Sequence, residues 1–220
     1  MPYLDDVQLK ENPEPRAPCV LLLDSSYSMS GAPIGELNQG LEAFESDLKE
    51  DPLASQRSEV AVFSFGGSVD LVQDFTLAAD FDAPKLVASG NTPMGEAITR
   101  ALDLVEDRKT AYKGANLNYF RPWVFLVTDG APTDEWQAAA DRLEEEEKRG
   151  AVLFFAVGVE GADFDLLARI SRQRPPVKLQ ETRFREMFLW LSRSQKQVSG
   201  SRPGDHVQLP SKDEWAEVPT

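Results

Sequence analysis

Residues 19–31, CVLLLDSSYSMSG, decide the architecture of this chain. Five consecutive apolar residues, 19–23, show no alternation and are too few for a helix. They read as a central strand covered on both faces. The run stops at Asp24, and small residues follow as far as Gly31. Two runs of the same kind lie downstream: residues 123–127 (WVFLV), which end in Thr128, Asp129 and Gly130, and residues 151–159 (AVLFFAVGV). Amphipathic segments separate them. From Pro33 to Pro52, Ile34, Leu37, Leu41, Phe44 and Leu48 recur at spacings of three and four, which predicts a helix. Further helices are expected over 93–107, with Ile98, Leu102 and Val105 inward, and over 136–149, 164–172 and 181–197. The acidic run 144–147 reads as a solvated helix face. Residues 59–65 and 69–75 read as strands joined through Gly66, Gly67 and Ser68, a hairpin, and residues 177–179 as a short edge strand.

Strands that alternate with helices, and are too apolar to face water, predict an α/β fold. The expected sheet is doubly wound and mostly parallel, with one antiparallel edge hairpin and helices on both faces. At 220 residues the chain is expected to form one domain. We divide it into an extended leader (1–16), a domain (17–199) and a C-terminal tail (200–220).

Composition removes several functions. The 23 basic and 37 acidic residues leave a net charge of −14, which disfavours general nucleic-acid binding. The charge is uneven: residues 1–160 carry 13 basic and 29 acidic groups, residues 161–220 carry 10 and 8. One cysteine and one histidine cannot build a zinc site of several Cys and His ligands. Cys19 has no partner for a disulfide, and it starts a buried strand with no histidine near it in sequence, which favours a structural role. His206 lies in a tail-like stretch, poorly placed for a Ser/His/Asp triad. No run is apolar enough to span a membrane, and the first sixteen residues are polar, so a cytoplasmic protein is expected.

In a sheet of this kind ligands bind beyond the carboxyl ends of the strands, where strand order reverses. Asp24, Ser26 and Ser28 follow the first strand at alternate positions, Thr92 closes the loop before Pro93, and Asp129 follows the second apolar strand. Five oxygen side chains with no nitrogen or sulfur form a shell for a hard cation such as Mg²⁺. With only two carboxylates among them, the ion would keep affinity for an anion from outside. Each residue also has a simpler reading. Ser28 or Ser30 could cap the helix near Pro33, Thr92 could cap the helix with Pro93 at its first position, and Asp129-Gly130 is a common turn pair. Asp134 reads as a helix cap, or as a support at the metal rim. Trp215, with Val207 and Leu209, could dock on the domain or on a partner.

The runs LLLDSSYSMSG, SGNTPMGEA and VFLVTDGAPTD resemble the von Willebrand factor A fold with its metal-ion-dependent adhesion site. Asp24, Ser26 and Ser28 match its DxSxS element, Thr92 its threonine and Asp129 its aspartate. Tyr27 departs from the glycine of many relatives and would make the rim bulkier. The resemblance implies a Rossmann-like fold and a bound Mg²⁺, with Mn²⁺ or Ca²⁺ as alternatives. It also implies a protein partner that supplies an Asp or Glu. The wording MSGAPIGELNQGLEAF, SGNTPMGEAI and TDGAPTDEW, with the tail KDEWAEV, is most similar to the bacterial tellurium-resistance-associated (TerY-type) branch. That likeness implies a stress-response setting alongside a serine/threonine kinase and a metal-dependent protein phosphatase. A non-enzymatic interaction module is therefore expected. The alternative is a metal-dependent phosphatase or other hydrolase.

Overall fold

In the computed structural model, which describes residues 9 and 11–217, seven strands form one sheet. They are Ala17–Asp24 (β1), Ser58–Gly66 (β2), Ser68–Leu77 (β3), Trp123–Thr128 (β4), Leu153–Gly158 (β5), Val177–Leu179 (β6) and Ala216–Glu217 (β7). Their spatial order is β3-β2-β1-β4-β5-β6-β7. Strands β2, β1, β4, β5 and β6 are mutually parallel, and β3 lies antiparallel on β2 as the expected edge hairpin. The expectation of an edge strand at 177–179 is corrected: β7 pairs antiparallel with β6, so the tail covers that edge. Residues 1–8 and 10, most of the expected leader, lie outside the described residues.

Among the described residues the sheet is accompanied by the α-helices Ala32–Glu50 (α1), Ala54–Arg57 (α2), Met94–Gly114 (α3), Gln137–Lys148 (α4), Phe164–Ile170 (α5) and Phe184–Gly200 (α6). All eight residues of β1 are buried, which is why its sequence does not alternate. Cys19, Leu21 and Leu23 point to one side with Val62, Phe125 and Val157, against α1 and α6. Val20 and Leu22 point to the other with Val124, Leu126 and Phe154, against α3, α4 and α5. The α1–α6 crossing is close because Gly40 leaves room; a Cβ there would lie 2.7 Å from the Phe188 ring.

The described part of α3 runs well past residue 107 because its inward face changes from apolar to charged. Beyond Val105 its buried residues are Arg108, Lys109 and Tyr112. Arg108 Nε donates to Glu59 Oε2 at 2.7 Å and Tyr112 Oη donates to the same oxygen at 2.5 Å. Arg16 Nε reaches Glu59 Oε1 at 2.9 Å. Glu59, at the start of β2, is only 1% exposed. One buried carboxylate therefore holds the amino-terminal end of the sheet to α3 and to the chain entering β1.

The reading of the 144–147 run as wholly solvated is also corrected. Glu147 is buried; its Oε1 accepts from the Phe154 amide at 3.1 Å and pairs with Arg174. The ion pair is made across 27 residues, so no local pattern reveals it.

The sheet order reverses between β1 and β4, since the chain builds outward from β1 to β3 and then returns to place β4 on β1's free side. Asp24 ends β1 and Asp129 directly follows β4, so both stand at the reversal. Glu59→Gln should destabilise the fold by about 3–5 kcal/mol, because Arg16 and Arg108 lose the carboxylate they share. Urea unfolding of the variant measures it; a change under about 1 kcal/mol, the size of a surface pair, would remove the network from the stability account.

Candidate metal centre

The loop after β1 is short and tightly tied. Ser26 N donates to Asp24 Oδ1 at 2.8 Å, and a single 3-10 turn, Tyr27–Met29, carries Ser28 back over the strand end. Ser26 Oγ and Ser28 Oγ lie 2.9 Å apart, and Ser28 Oγ donates to Asp129 Oδ1 at 2.7 Å. Thr92 is placed by the loop after β4: its N–H donates to Thr133 Oγ1 at 3.1 Å and its carbonyl accepts from Thr133 N at 2.9 Å. A Cβ at Gly130 would lie 3.4 Å from Thr92 Oγ1 and 3.9 Å from Ser28 Oγ, so the two hydroxyls flank one glycine. All five residues singled out in the sequence thus gather at one end of the sheet.

The simpler readings of these residues meet specific obstacles. The first residue ahead of α1 is Gly31, with no side-chain cap, so neither Ser28 nor Ser30 caps it. Pro93, not Thr92, precedes α3, again with no hydroxyl cap. Asp134 is a cap, but of a helix forty residues earlier in the chain. Its two carboxylate oxygens accept from Gly95 N at 3.0 Å and Glu96 N at 2.8 Å, at the start of α3. It therefore binds the Thr92 loop to the Asp129 loop. Gly130 has no left-handed backbone, so a positive φ is not what selects glycine there.

A junction of glycines holds the third side. Ser89 N donates to Ser25 O at 2.7 Å, Tyr27 N to Gly90 O at 3.0 Å and Gly67 N to Asn91 O at 2.8 Å. Gly90 has φ +65°, and a Cβ on it would lie 2.4 Å from Gly67 Cα. Backbone meets backbone there, and no side chain fits between. The hairpin turn, the loop after β1 and the Thr92 loop are thus tied together backbone to backbone.

Thr128, given no role by the sequence reading, is part of the site. Its hydroxyl donates to Asp24 Oδ2 at 2.5 Å and accepts from Gly130 N at 3.1 Å. As the last residue of a strand it carries no motif signal of its own.

Electrostatically the site is unbalanced. Among the described residues no Lys, Arg or His ion-pairs with Asp24 or Asp129. Burial pushes the Asp24 carboxyl up to about 6, against hydrogen bonds from Ser26 and Thr128 that favour its ionised form, and the charge of Asp129 adds to the rise. Burial also raises Asp129. By contrast Cys19 is sealed in β1, where burial pushes its thiol far above the usual range and leaves it inert. Neighbouring oxygens in an octahedral Mg²⁺ shell stand about 2.9 Å apart, from Mg–O distances of ~2.0–2.1 Å. The 2.9 and 2.7 Å separations along Ser26, Ser28 and Asp129 fit that spacing. No group of three or more His, Cys, Asp or Glu gathers among the described residues. A shell here would rest on two carboxylates and hydroxyls.

The raised Asp24 value has a definite sign. An ordinary carboxyl titrates near 3.9 unfolded, so between that value and about 6 the folded protein binds the extra proton and stability falls as pH rises. At pH 7 the ionised Asp24 costs about 3 kcal/mol in metal-free protein, a penalty absent below pH 4. Asp24→Asn keeps the acceptor for Ser26 N and does not titrate. In chelator it should melt higher than wild type at pH 7 and level with it near pH 4. Equal melting at both pH values would mean that Asp24 carries no such penalty.

The chain matches the von Willebrand factor type A domain model over residues 19–187. Comparison with curated proteins finds no match. Solved structures resemble it in fold at low identity. The pilus adhesin SpaC of Lactobacillus rhamnosus GG, in its open conformation, is 13% identical over 84% of this chain and 31% of that one, with a TM-score of 0.66. Proximal thread matrix protein 1 of the mussel byssus is 15% identical over 86% and 47%, with a TM-score of 0.58. The manganese-loaded TRAP protein of Plasmodium vivax is 20% identical over 73% and 64%, with a TM-score of 0.53. This chain spans under half the length of the first solved structures it matches. With the family model covering the sheet from β1 to the start of α6, the chain belongs to the von Willebrand factor type A domain family.

Proposed function

We propose that this chain is a non-enzymatic, metal-dependent protein-interaction module. Asp24, Ser26, Ser28, Thr92 and Asp129 would hold a divalent cation, Mg²⁺ or Mn²⁺ with Ca²⁺ as the alternative. The bound ion supplies Lewis acidity toward a carboxylate of the partner. The observation that carries this reading is the pair of buried carboxylates with no basic partner, joined by hydroxyls at octahedral spacing. Asp24 contributes charge, held in place by Ser26 N and Thr128 Oγ1. Ser28, which donates to Asp129, must turn its proton outward to offer a lone pair. The SpaC and TRAP likenesses support the module through fold, one being named a pilus adhesin and the other manganese-loaded.

The alternative, a metal-dependent hydrolase, needs a base beside the water it activates. The only histidine, His206, lines a cavity with Trp123 and Leu153, the first residues of β4 and β5, at the sheet end opposite Asp24. That placement favours the interaction module. The narrower likeness carries the reading to a cytoplasmic, bacterial tellurite-resistance or stress-response setting. Its serine/threonine kinase and metal-dependent phosphatase are the partners to test first.

Calorimetry should detect Mg²⁺ or Mn²⁺ binding by wild type and none by Asp24→Ala; equal affinity in both would displace the site. Chelator should leave far-ultraviolet dichroism unchanged, because the two apolar layers close without a metal. Capture of an acidic-motif partner should fail in chelator and with Thr92→Ala, yet change little at moderate salt, since a coordinated carboxylate is weakly screened. A complex that persists undiminished in chelator would refute the mechanism.

A further inference from the structure

Among the described residues, the large apolar side chains left exposed are Tyr27, Val72 and Val87. Two of them belong to the segments that build the candidate metal centre. Tyr27 is 70% exposed and sits between Ser26 and Ser28, whose hydroxyl oxygens lie 2.9 Å apart. Consecutive Cα atoms are about 3.8 Å apart across trans peptides, so the ring is rooted one residue from each of those hydroxyls. Val87 is 74% exposed and stands two residues before Ser89, whose amide donates to Ser25 O at 2.7 Å.

The tyrosine is fixed at its root and free at its tip. Tyr27 N donates to Gly90 O at 3.0 Å, and Tyr27 O accepts from Ser30 N at 3.1 Å. Among the described residues no ring stacks on its side chain and no guanidinium lies over it. The same 3-10 turn buries Met29 completely, so its inward position is already filled and the tyrosine takes an outward one. A ring held on an ordered backbone loses little freedom when a partner covers it, and such aromatic anchors concentrate the energy of protein interfaces.

The metal decides what covers the ring. A carboxylate that reaches an ion at Ser26 and Ser28 brings the residues beside it over Tyr27. Residues 25–31 and 86–92, the two segments joined here, hold no Asp, Glu, Lys, Arg or His, so neither offers a countercharge to a charged neighbour. Building on the metal-dependent reading above, we propose that Tyr27 selects the partner: the Asp or Glu that meets the ion is directly preceded or followed by a large apolar side chain, which packs on the Tyr27 ring. The partner is then an exposed segment of another protein that pairs an acid with an aromatic or branched apolar residue.

The test selects random peptides, displayed on phage, on the full chain in Mn²⁺ and releases them with chelator. Wild type should yield peptides with an acidic residue directly beside a large apolar one. Tyr27→Ser should retain the acid and lose the apolar neighbour. It should also bind a wild-type-selected peptide about tenfold or more weakly, the scale of one interface anchor. Tyr27→Phe, which keeps the ring, should select as wild type does, and calorimetry should find Mn²⁺ affinity unchanged in Tyr27→Ser. Acidic peptides without an apolar neighbour, a basic residue in that place, or equal peptide affinity in Tyr27→Ser with intact dichroism would each overturn the proposal and leave the metal reading standing. If chelator releases no acidic peptides from wild type, the metal reading falls and this proposal falls with it.

Discussion

A carboxylate with no countercharge, sealed at the end of the central strand, is the constraint around which this domain is arranged. Asp24 is 0% exposed and takes its stabilisation from one amide and one threonine hydroxyl. Burying an ionised group this way is costly, and proteins tolerate it where function requires it. The surroundings follow from that position. The residues after β1 must be small and polar to approach the carboxylate. The glycines at 66, 67 and 90 must be bare so that three loops can meet backbone to backbone. Asp134 must reach across to α3 so that Thr92 and Asp129 keep one geometry.

The two ends of the sheet treat a buried acid in opposite ways. Glu59, at the amino-terminal end, receives two guanidinium groups and a phenol. Its charge is answered by the protein, and the result is a fixed structural tie. Asp24 and Asp129, at the carboxyl-terminal end, receive only neutral donors from the protein. Their charge is left to be answered from outside. Burial alone does not separate the two cases; the identity of the donors does. Placement at the strand reversal between β1 and β4 then makes the carboxyl-terminal end the one open to a ligand.

What could be read from the sequence divides along the same physical line. Continuous apolar runs revealed β1, β4 and β5, and hydroxyl spacing after β1 singled out Asp24, Ser26 and Ser28, because both signals are local. Interactions between distant residues were illegible. The end of α3 was lost because its inward face turns to Arg108, Lys109 and Tyr112, which look solvent-facing until Glu59 is placed beside them. Glu147 looked solvated for want of Arg174, and Thr128 looked like a strand end for want of Asp24. Strand β7 is two residues long and exists only by pairing with β6, so periodicity had nothing to detect.

That short strand gives the tail two jobs. By pairing with β6 it covers a sheet edge that would otherwise offer unpaired amides. By bringing Trp215 onto Trp190 it also closes over an aromatic cavity walled by Phe125 and Phe155, which Lys212 helps to line. Charge divides along the chain as well. The acidic first 160 residues, at 13 basic against 29 acidic groups, hold the carboxylates suited to a cation. The slightly basic remainder, at 10 against 8, supplies Arg174 and Lys212 to the cavity. Of the residues that line that cavity, Trp190, Lys212 and Trp215 lie beyond residue 187, where the family match stops. The candidate metal centre lies within the residues that the family model matches; the Trp215 roof of the cavity lies beyond them.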